Sequence, residues 1–208
     1  MLISIEGPDQ AGKTTQIKLL KEYSEQNNLN WNFTCNPGGT DFGYKLRELI
    51  LDKAYDVAAK AELLIYLADR AQHISEYAED FKDPNKIFIC DRFSDSTLAY
   101  QGFGRSMDTN IINQINSYVC EGIKPDLTIL LMIEPEEAFK RREGDPDRME
   151  QENKLFFIRV ANGYKTIASQ EPERVKIIDV KTHSKEHIHD TIIAKINEFI
   201  EGASFAKR

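Results

Sequence analysis

The first residues with chemical consequence are Gly7-Pro8-Asp9-Gln10-Ala11-Gly12-Lys13-Thr14, which follow the spacing G-x-x-x-x-G-K-[ST]. Each part answers a need of phosphate chemistry. Glycines let backbone N–H groups turn inward around an anion. A helix starting just after them presents its positive end to the same charge. Lys13 reaches the β- and γ-phosphates of a nucleoside triphosphate, and the Thr14 hydroxyl ligates its magnesium. Gly7, Pro8, Asp9, Gln10, Ala11, Gly12, Lys13, Thr14 and Thr15 are therefore the expected ATP-binding segment. Further on, Ile87-Phe88-Ile89-Cys90-Asp91 is an apolar run ending in a carboxylate. Beside a phosphate loop such an acid holds magnesium, directly or through water. Arg92 follows at once and offers a bidentate clamp for a phosphate.

These residues need elements to position them. Leu2–Ile5 reads as a buried first strand, and Thr14–Gln26, with apolar residues between charges, as a helix. Trp31–Thr34, Lys86–Asp91, Leu127–Ile133 and Arg174–Val180 read as four more strands. Helices are predicted over Phe42–Leu51, Ala58–Phe81, Thr109–Cys120, Glu136–Arg142, Arg148–Ser169 and Lys185–Glu201. The segment 143–147 is a polar break, and the tail from Gly202 is expected to fray. Strands that alternate with helices imply an α/β protein: three layers, α/β/α, around a central five-stranded parallel sheet. Ligands in such sheets sit at the carboxyl ends of the strands, where both motifs fall.

The 208 residues fit a single domain, 1–208, and 41% hydrophobic residues suffice for a sizeable core. A formal net charge of −7 argues against a general affinity for nucleic acid. Cys35, Cys90 and Cys120 form neither a disulfide framework nor a zinc pattern. The short apolar N-terminus lacks the features of a signal peptide, and no apolar run approaches the ~20 residues that span a bilayer. The expectation is a cytoplasmic protein without a membrane partner. His183, His187 and His189, near the start of the last helix, read as exposed side chains.

Several segments together, in order and over most of the chain, resemble thymidylate kinases. They are Glu6–Gln16, Asn36-Pro37-Gly38-Gly39-Thr40 followed by Lys45-Leu46-Arg47, Tyr66–His73, Asp91–Gly102, Lys124–Thr128 and Asp147–Glu152. The resemblance implies a P-loop kinase fold with a short lid, at about 141–152, and transfer of the γ-phosphoryl group of ATP to dTMP. It implies that Tyr66 stacks on thymine, that Arg70 meets the base edge, and that Asp9 accepts from the 3′-hydroxyl. Arg92 and Arg47 would hold the dTMP phosphate, Ser96 and Gln101 would line the pocket, and Tyr100 would exclude a 2′-hydroxyl. Arg141, Arg142 and Arg148 resemble lid arginines, of which Arg142 and Arg148 are the catalytic candidates beside Lys13 and Arg92. The family's members form homodimers, and the same is expected here.

The chain also departs from that pattern. Gln10 stands where one branch carries a catalytic arginine, and Glu143 precedes Gly144 where the other branch has its lid arginine. Cys35-Asn36 replace Arg-Glu before Pro-Gly-Gly-Thr, and Met132 replaces an aspartate. Two rival readings follow from the residues. A deoxynucleoside kinase needs a carboxylate base, for which Glu6 is the candidate, and a catalytically impaired homologue would bind nucleotide without turnover. A guanine-binding switch is not supported, since no Asn-Lys-x-Asp motif is present.

Overall fold

A computed structural model describes residues 1–142, 144–181 and 183–205. Strands β1 (Leu2–Glu6), β2 (Trp31–Cys35), β3 (Ile87–Asp91), β4 (Leu127–Met132) and β5 (Val175–Asp179) form one sheet in the order β2-β3-β1-β4-β5. Every pairing is parallel. The connections are made by α1 (Lys13–Gln26), α2 (Asp41–Leu51), α3 (Ala59–Lys82), α4 (Ser94–Thr97), α5 (Thr109–Val119), α6 (Pro135–Lys140) and α7 (Lys154–Gln170), and α8 (Lys185–Phe205) follows β5. The three-layer α/β/α reading and its five strands hold.

Strand parity decides which layer each side chain meets. Ile3, Ile5, Ile129 and Leu131 pack with Leu20 of α1 and Ile188, Ile192 and Ile196 of α8. The alternate positions face the other way: Leu2, Phe88 and Cys90 meet Ile74 and Phe81 of α3, and Leu130 and Met132 meet Phe156, Val160 and Tyr164 of α7. β1 and β4 are buried along their whole length, as a strand covered on both faces requires. The same alternation sends Glu6 into the α3/α7 layer rather than toward α1. Met132 is part of the apolar packing under α7.

β1 and β3 are neighbours, with Ile5 opposite Asp91, and the Arg92 N–H donates to the Ile5 carbonyl at 3.1 Å. The two motifs read from the sequence are thus placed side by side. The chain leaves β1 through Gly7 at φ 144°, where a Cβ would lie 2.2 Å from the Leu131 carbonyl oxygen of β4. Only glycine lets the loop pass this close to the neighbouring strand.

Three stretches differ from the sequence expectation. Residues 94–104 carry α4 and then a widened π-type turn, Leu98–Gly104, where no element was predicted. This turn lies against α7: a Cβ on Gly163 would sit 2.8 Å from the Phe103 ring, and one on Gly104 2.7 Å from the Phe156 ring. Second, α7 begins at Lys154 and not at Arg148. Asp147 and Glu150 bond each other's backbone N–H groups at 3.2 and 2.9 Å, which closes a local turn, and the Asn153 side chain caps α7 at the Phe156 N–H, 3.0 Å away. Third, α6 stops at Lys140, two residues early, while α8 continues to Phe205. Glu143 and residues 206–208 lie outside the described residues.

Candidate active site

Two cavities open at the carboxyl ends of β1 and β3. The first is lined by the phosphate loop at Asp9, Gln10 and Gly12–Thr15, together with Asp91, Arg92, Arg141 and Glu150. The second is a partly open cleft beside it. Tyr66, Arg70, Tyr100, Gln101 and Met149 are among its walls. Asp9, Arg47, Arg92 and Asp147 line both, so the cavities meet at a border carrying two arginines.

In the phosphate loop, Gly12 caps α1 at φ 89° and supplies no side-chain cap, leaving the helix's first N–H groups for an anion. Lys13 is buried, and its ammonium donates to the Gly7 and Pro8 carbonyls at 3.0 and 2.8 Å. Burial, then the Arg92 charge, lowers its pKa to about 8, against the opposing pull of Asp9, Asp91 and Glu6. Thr14 is exposed on the same cavity as Asp91, whose Oδ1 is buried and accepts no hydrogen bond within the described structure. A carboxylate oxygen without a donor beside a hydroxyl is a hard-oxygen pair suited to Mg²⁺, and the residues fit that ion. Among the described residues no group of three or more His, Cys, Asp or Glu side chains forms a metal cage of its own.

Arg92 sits at the centre. Its backbone lies at φ 67°, an uncommon region for a non-glycine residue. Its Nη1 donates to the Gly7 carbonyl, Ser96 Oγ and Tyr164 Oη at 3.0, 3.1 and 3.2 Å. Its Nη2 meets Asp9 Oδ1 at 2.5 Å and Tyr100 Oη at 3.2 Å, and the guanidinium lies 5.0 Å from the Tyr100 ring centre. Tyr100 in turn donates to Asp9 Oδ2 at 2.9 Å. Burial alone would raise the Asp9 pKa, but Arg92, Lys13 and the Tyr100 hydroxyl together hold it below the ordinary carboxylate range.

Behind this layer Glu6 is fully buried. Its Oε1 accepts from the Phe93 N–H at 2.7 Å, and its Oε2 from Ser96 and Tyr164 at 2.6 and 2.9 Å. Burial and then the Asp95 charge raise its pKa. Glu6 lines neither cavity. It therefore has no geometry for the base role that a nucleoside kinase would give it.

The remaining candidates divide. Tyr66, Arg70, Ser96, Tyr100, Gln101 and Arg47 all line the cleft. Arg47 also donates to the Pro37 carbonyl at 2.9 Å. Arg70 is buried and largely spent: its Nη1 donates to Thr97 and Asn116 at 2.7 and 3.0 Å, and its Nη2 to the Phe93 carbonyl at 3.0 Å and to Asn36. Its Nε alone is buried without an acceptor. Asn36, one of the departures, passes the contact on to the Asp69 carboxylate.

The lid arginines fall in three places. Arg141 lines the phosphate cavity and donates to the Val180 carbonyl at 3.3 Å. Arg142 lies over the Phe139 and Phe157 rings at 4.4 and 4.9 Å, with a buried Nε that has no acceptor. Arg148 is turned away from the phosphate loop: it donates to the Ile50 carbonyl at 2.6 Å and to Glu62 at 2.8 Å. The segment from Arg148 to Glu152, expected within the lid, is tied to α2, α3 and Arg105. Tyr164, Glu62, Arg105 and Asp147 were not singled out in the sequence. Tyr164 lies in an apolar helix and Glu62 in the first turn of another, where an acid is usual.

Comparison with known proteins gives a consistent picture. The sequence profile described as "Thymidylate kinase" matches residues 5–192. The thymidylate kinase of Nostoc sp. is 41% identical over 195 residues, covering 91% of this chain and 92% of its own. That of Kosmotoga olearia is 38% identical, with 93% of each chain covered. The crystal structure of thymidylate kinase from Ehrlichia chaffeensis superimposes with a TM-score of 0.76 at 34% identity, covering 95% of this chain and 98% of that one.

The low Lys13 pKa has a measurable consequence. A polyphosphate bound at this loop would stabilise the ammonium and raise its pKa, so its binding near pH 8 and above would draw in a proton and its affinity would fall as pH rises through about 8. Calorimetric titration at pH 8.5 in buffers of different ionisation enthalpy is expected to show net proton uptake that Lys13→Met abolishes. Observed heats that are the same in every buffer, so that no proton is exchanged, would contradict it.

Proposed function

Because the chain belongs to the thymidylate kinase family, we infer that the phosphate-loop cavity takes ATP and the adjoining cleft takes dTMP, with the reacting phosphates meeting at Arg92. The chain is an ATP-dependent kinase that converts dTMP to dTDP. The observation that carries the assignment of the two sites is the shared border: Asp9, Arg47, Arg92 and Asp147 face both cavities, where donor and acceptor must touch.

The acceptor is a phosphate oxygen already largely ionised at pH 7, since its second pKa is about 6. No general base is required, in keeping with the enclosed and fully bonded Glu6. Rate enhancement then rests on alignment and on charge neutralisation. Lys13 exchanges the Gly7 and Pro8 carbonyls for the β- and γ-phosphates. Arg92 exchanges part of its shell for the dTMP phosphate, and Arg47 adds a second charge. Arg141 is the lid arginine best placed for the triphosphate, since it lines that cavity while Arg148 is held on Glu62. Thr14 and Asp91 would hold Mg²⁺, which would supply charge screening at the triphosphate oxygens. In the cleft, Tyr66 stacks on thymine, the unpaired Nε of Arg70 meets the base edge, and Tyr100 closes the sugar's 2′ side. One domain carries the reaction. Arg148 and Glu152 are held by Ile50, Glu62 and Arg105, away from the phosphate loop. The chain acts in the cytoplasm, and among the described residues no helix is long and apolar enough to cross a membrane.

A homodimer is part of this reading. Ile111 and Tyr118 of α5 and Leu64 of α3 are exposed at 53%, 85% and 61%. Large apolar side chains on neighbouring helices are suited to a self-complementary interface. Sedimentation equilibrium is expected to give twice the monomer mass, and Tyr118→Glu with Leu64→Glu to return it to monomer. A monomeric wild type at micromolar concentration would remove this part.

A coupled ADP-release assay offering dTMP, dUMP, dCMP, dGMP, AMP and thymidine separately is expected to show fastest turnover with dTMP and none with thymidine. Arg92→Ala is expected to lower kcat/KM by at least roughly a hundredfold. Turnover of thymidine at a rate matching dTMP would contradict the site assignment.

For the metal, chelation is expected to abolish turnover. Asp91→Asn is expected to raise the magnesium concentration for half-maximal rate by about tenfold or more and to lower kcat. A magnesium dependence unchanged in that variant would release Asp91 from the role.

A further inference from the structure

A buried charge cluster outside the phosphate site is centred on Glu62, in the first turn of α3. Its side chain is wholly enclosed and lines neither cavity. Oε1 accepts from Gln101 Nε2 at 2.9 Å and Arg105 Nε at 3.1 Å. Oε2 accepts from Arg105 Nη2 and Arg148 Nη2, both at 2.8 Å. Four donors from three side chains, on the π-type turn, the segment after it and the segment before α7, converge on one carboxylate.

Gln101 is the member that reaches the dTMP cleft. An amide has a donor end and an acceptor end, and which faces where is set by its partners. An ionised carboxylate accepts only, so Glu62 takes the NH₂ end. The carbonyl oxygen of Gln101 makes no hydrogen bond among the described residues and is the end left for the cleft. Thymine and uracil carry an N3–H donor, which such an oxygen accepts. Cytosine carries a lone pair at N3, which it repels.

We propose that Glu62 is a positioning residue that fixes the amide polarity of Gln101 and so makes the cleft selective for imide bases over cytosine. Arg105 and Arg148 serve this role by neutralising Glu62 in a buried setting, where an unpaired carboxylate would tend to protonate and become a donor. Arg148 thereby acts at a distance from the transferred phosphoryl group. The inference rests on the cleft being the base site, and the test separates the two.

Glu62→Gln supplies the decisive change. The oxygen of the new amide stays with the two Nη2 donors now on Oε2. Its NH₂ then occupies the Oε1 position, where it forfeits the bond from Arg105 Nε and faces Gln101, which must turn its carbonyl toward it and present NH₂ to the cleft. Dissociation constants for dTMP and dCMP are measured on wild type, Glu62→Gln, Glu62→Asp and Gln101→Ala. The preference for dTMP over dCMP is expected to shrink by roughly tenfold or more in Glu62→Gln, to persist in Glu62→Asp despite a lower Tm, and dTMP is expected to bind Gln101→Ala more weakly. A lower Tm in Glu62→Gln with the preference intact overturns the proposal and marks Glu62 as merely structural. Unchanged dTMP affinity in Gln101→Ala overturns it together with the base-site reading. Should Glu62→Gln not fold, the dTMP complex of ¹⁵N-labelled wild type decides: a hydrogen-bonded thymine N3–H resonance together with NOEs from the Gln101 side-chain NH₂ to the Glu62 side chain supports the proposal, and NOEs from that NH₂ to the base with none to Glu62 refute it.

Discussion

The structure is organised around one enclosed guanidinium. Arg92 follows directly on β3, opposite the end of β1, and five acceptors from the phosphate loop, α4, the π-type turn and α7 surround it. Removing such a cation from water costs several kcal/mol unless its donors are met, and this is the reason the acceptors come from so many elements. Once they do, the positions of Gly7, Asp9, Ser96, Tyr100 and Tyr164 are no longer independent. The left-handed backbone at Arg92 is part of the same constraint, since it turns the side chain back across β1 instead of onward along β3. An uncommon conformation persists where the surroundings over-determine it, and here they do so with a charge.

Much of this was legible in the sequence, for identifiable reasons. The inner strands β1, β3 and β4 are short apolar runs, and burial on both faces is what writes such runs, whereas the edge strands β2 and β5 are only partly buried and carry polar residues. The phosphate loop is legible because its glycines answer geometric demands, as the Leu131 carbonyl against Gly7 shows. The stretch from 94 to 104 was not legible as an element. Its helix is widened, so its side chains follow neither the 3.6-residue period nor the two-residue one, and its fit depends on Gly163, more than fifty residues later. The start of α7 was misjudged because Asp147 and Glu150 bond each other's backbone, and a local polar turn of that kind carries no apolar period. Glu62 illustrates a further limit. In the sequence it is an acid in a helix's first turn, where solvent exposure is usual. Its enclosure comes from Arg105 and Arg148, which are remote in the chain.

The arginines of the 141–152 stretch show how similar residues diverge in role through contacts alone. Arg141 reaches the phosphate cavity by lying along Val180 at the end of β5. Arg142 is drawn onto Phe139 and Phe157, where its apolar surface is covered and its Nε is left without an acceptor. Arg148 is claimed by Glu62 and by the Ile50 carbonyl at the end of α2. A basic cluster read as one functional unit is thus three separate devices. The departure at Gln10 fits this division. Its amide donates to Glu150 at 3.0 Å, so the loop position that carries an arginine in one branch of the family here joins the phosphate loop to the anchored part of the segment.

The site also explains how binding and catalysis can be coupled without a new charge being buried. Lys13 is held by two carbonyls of its own loop, and Arg92 by Asp9, Gly7 and three hydroxyls. Every strong donor is already aimed into one small region by partners that are replaceable. An incoming phosphate substitutes for those partners and finds cations that are desolvated and oriented. The cost of reorganising donors is therefore met in folding, and the differential gain on reaching the transition state is correspondingly larger. The same logic extends to the proposed base cleft, where Arg70 and Gln101 are each held by protein partners at one end, while Arg70 Nε has no acceptor.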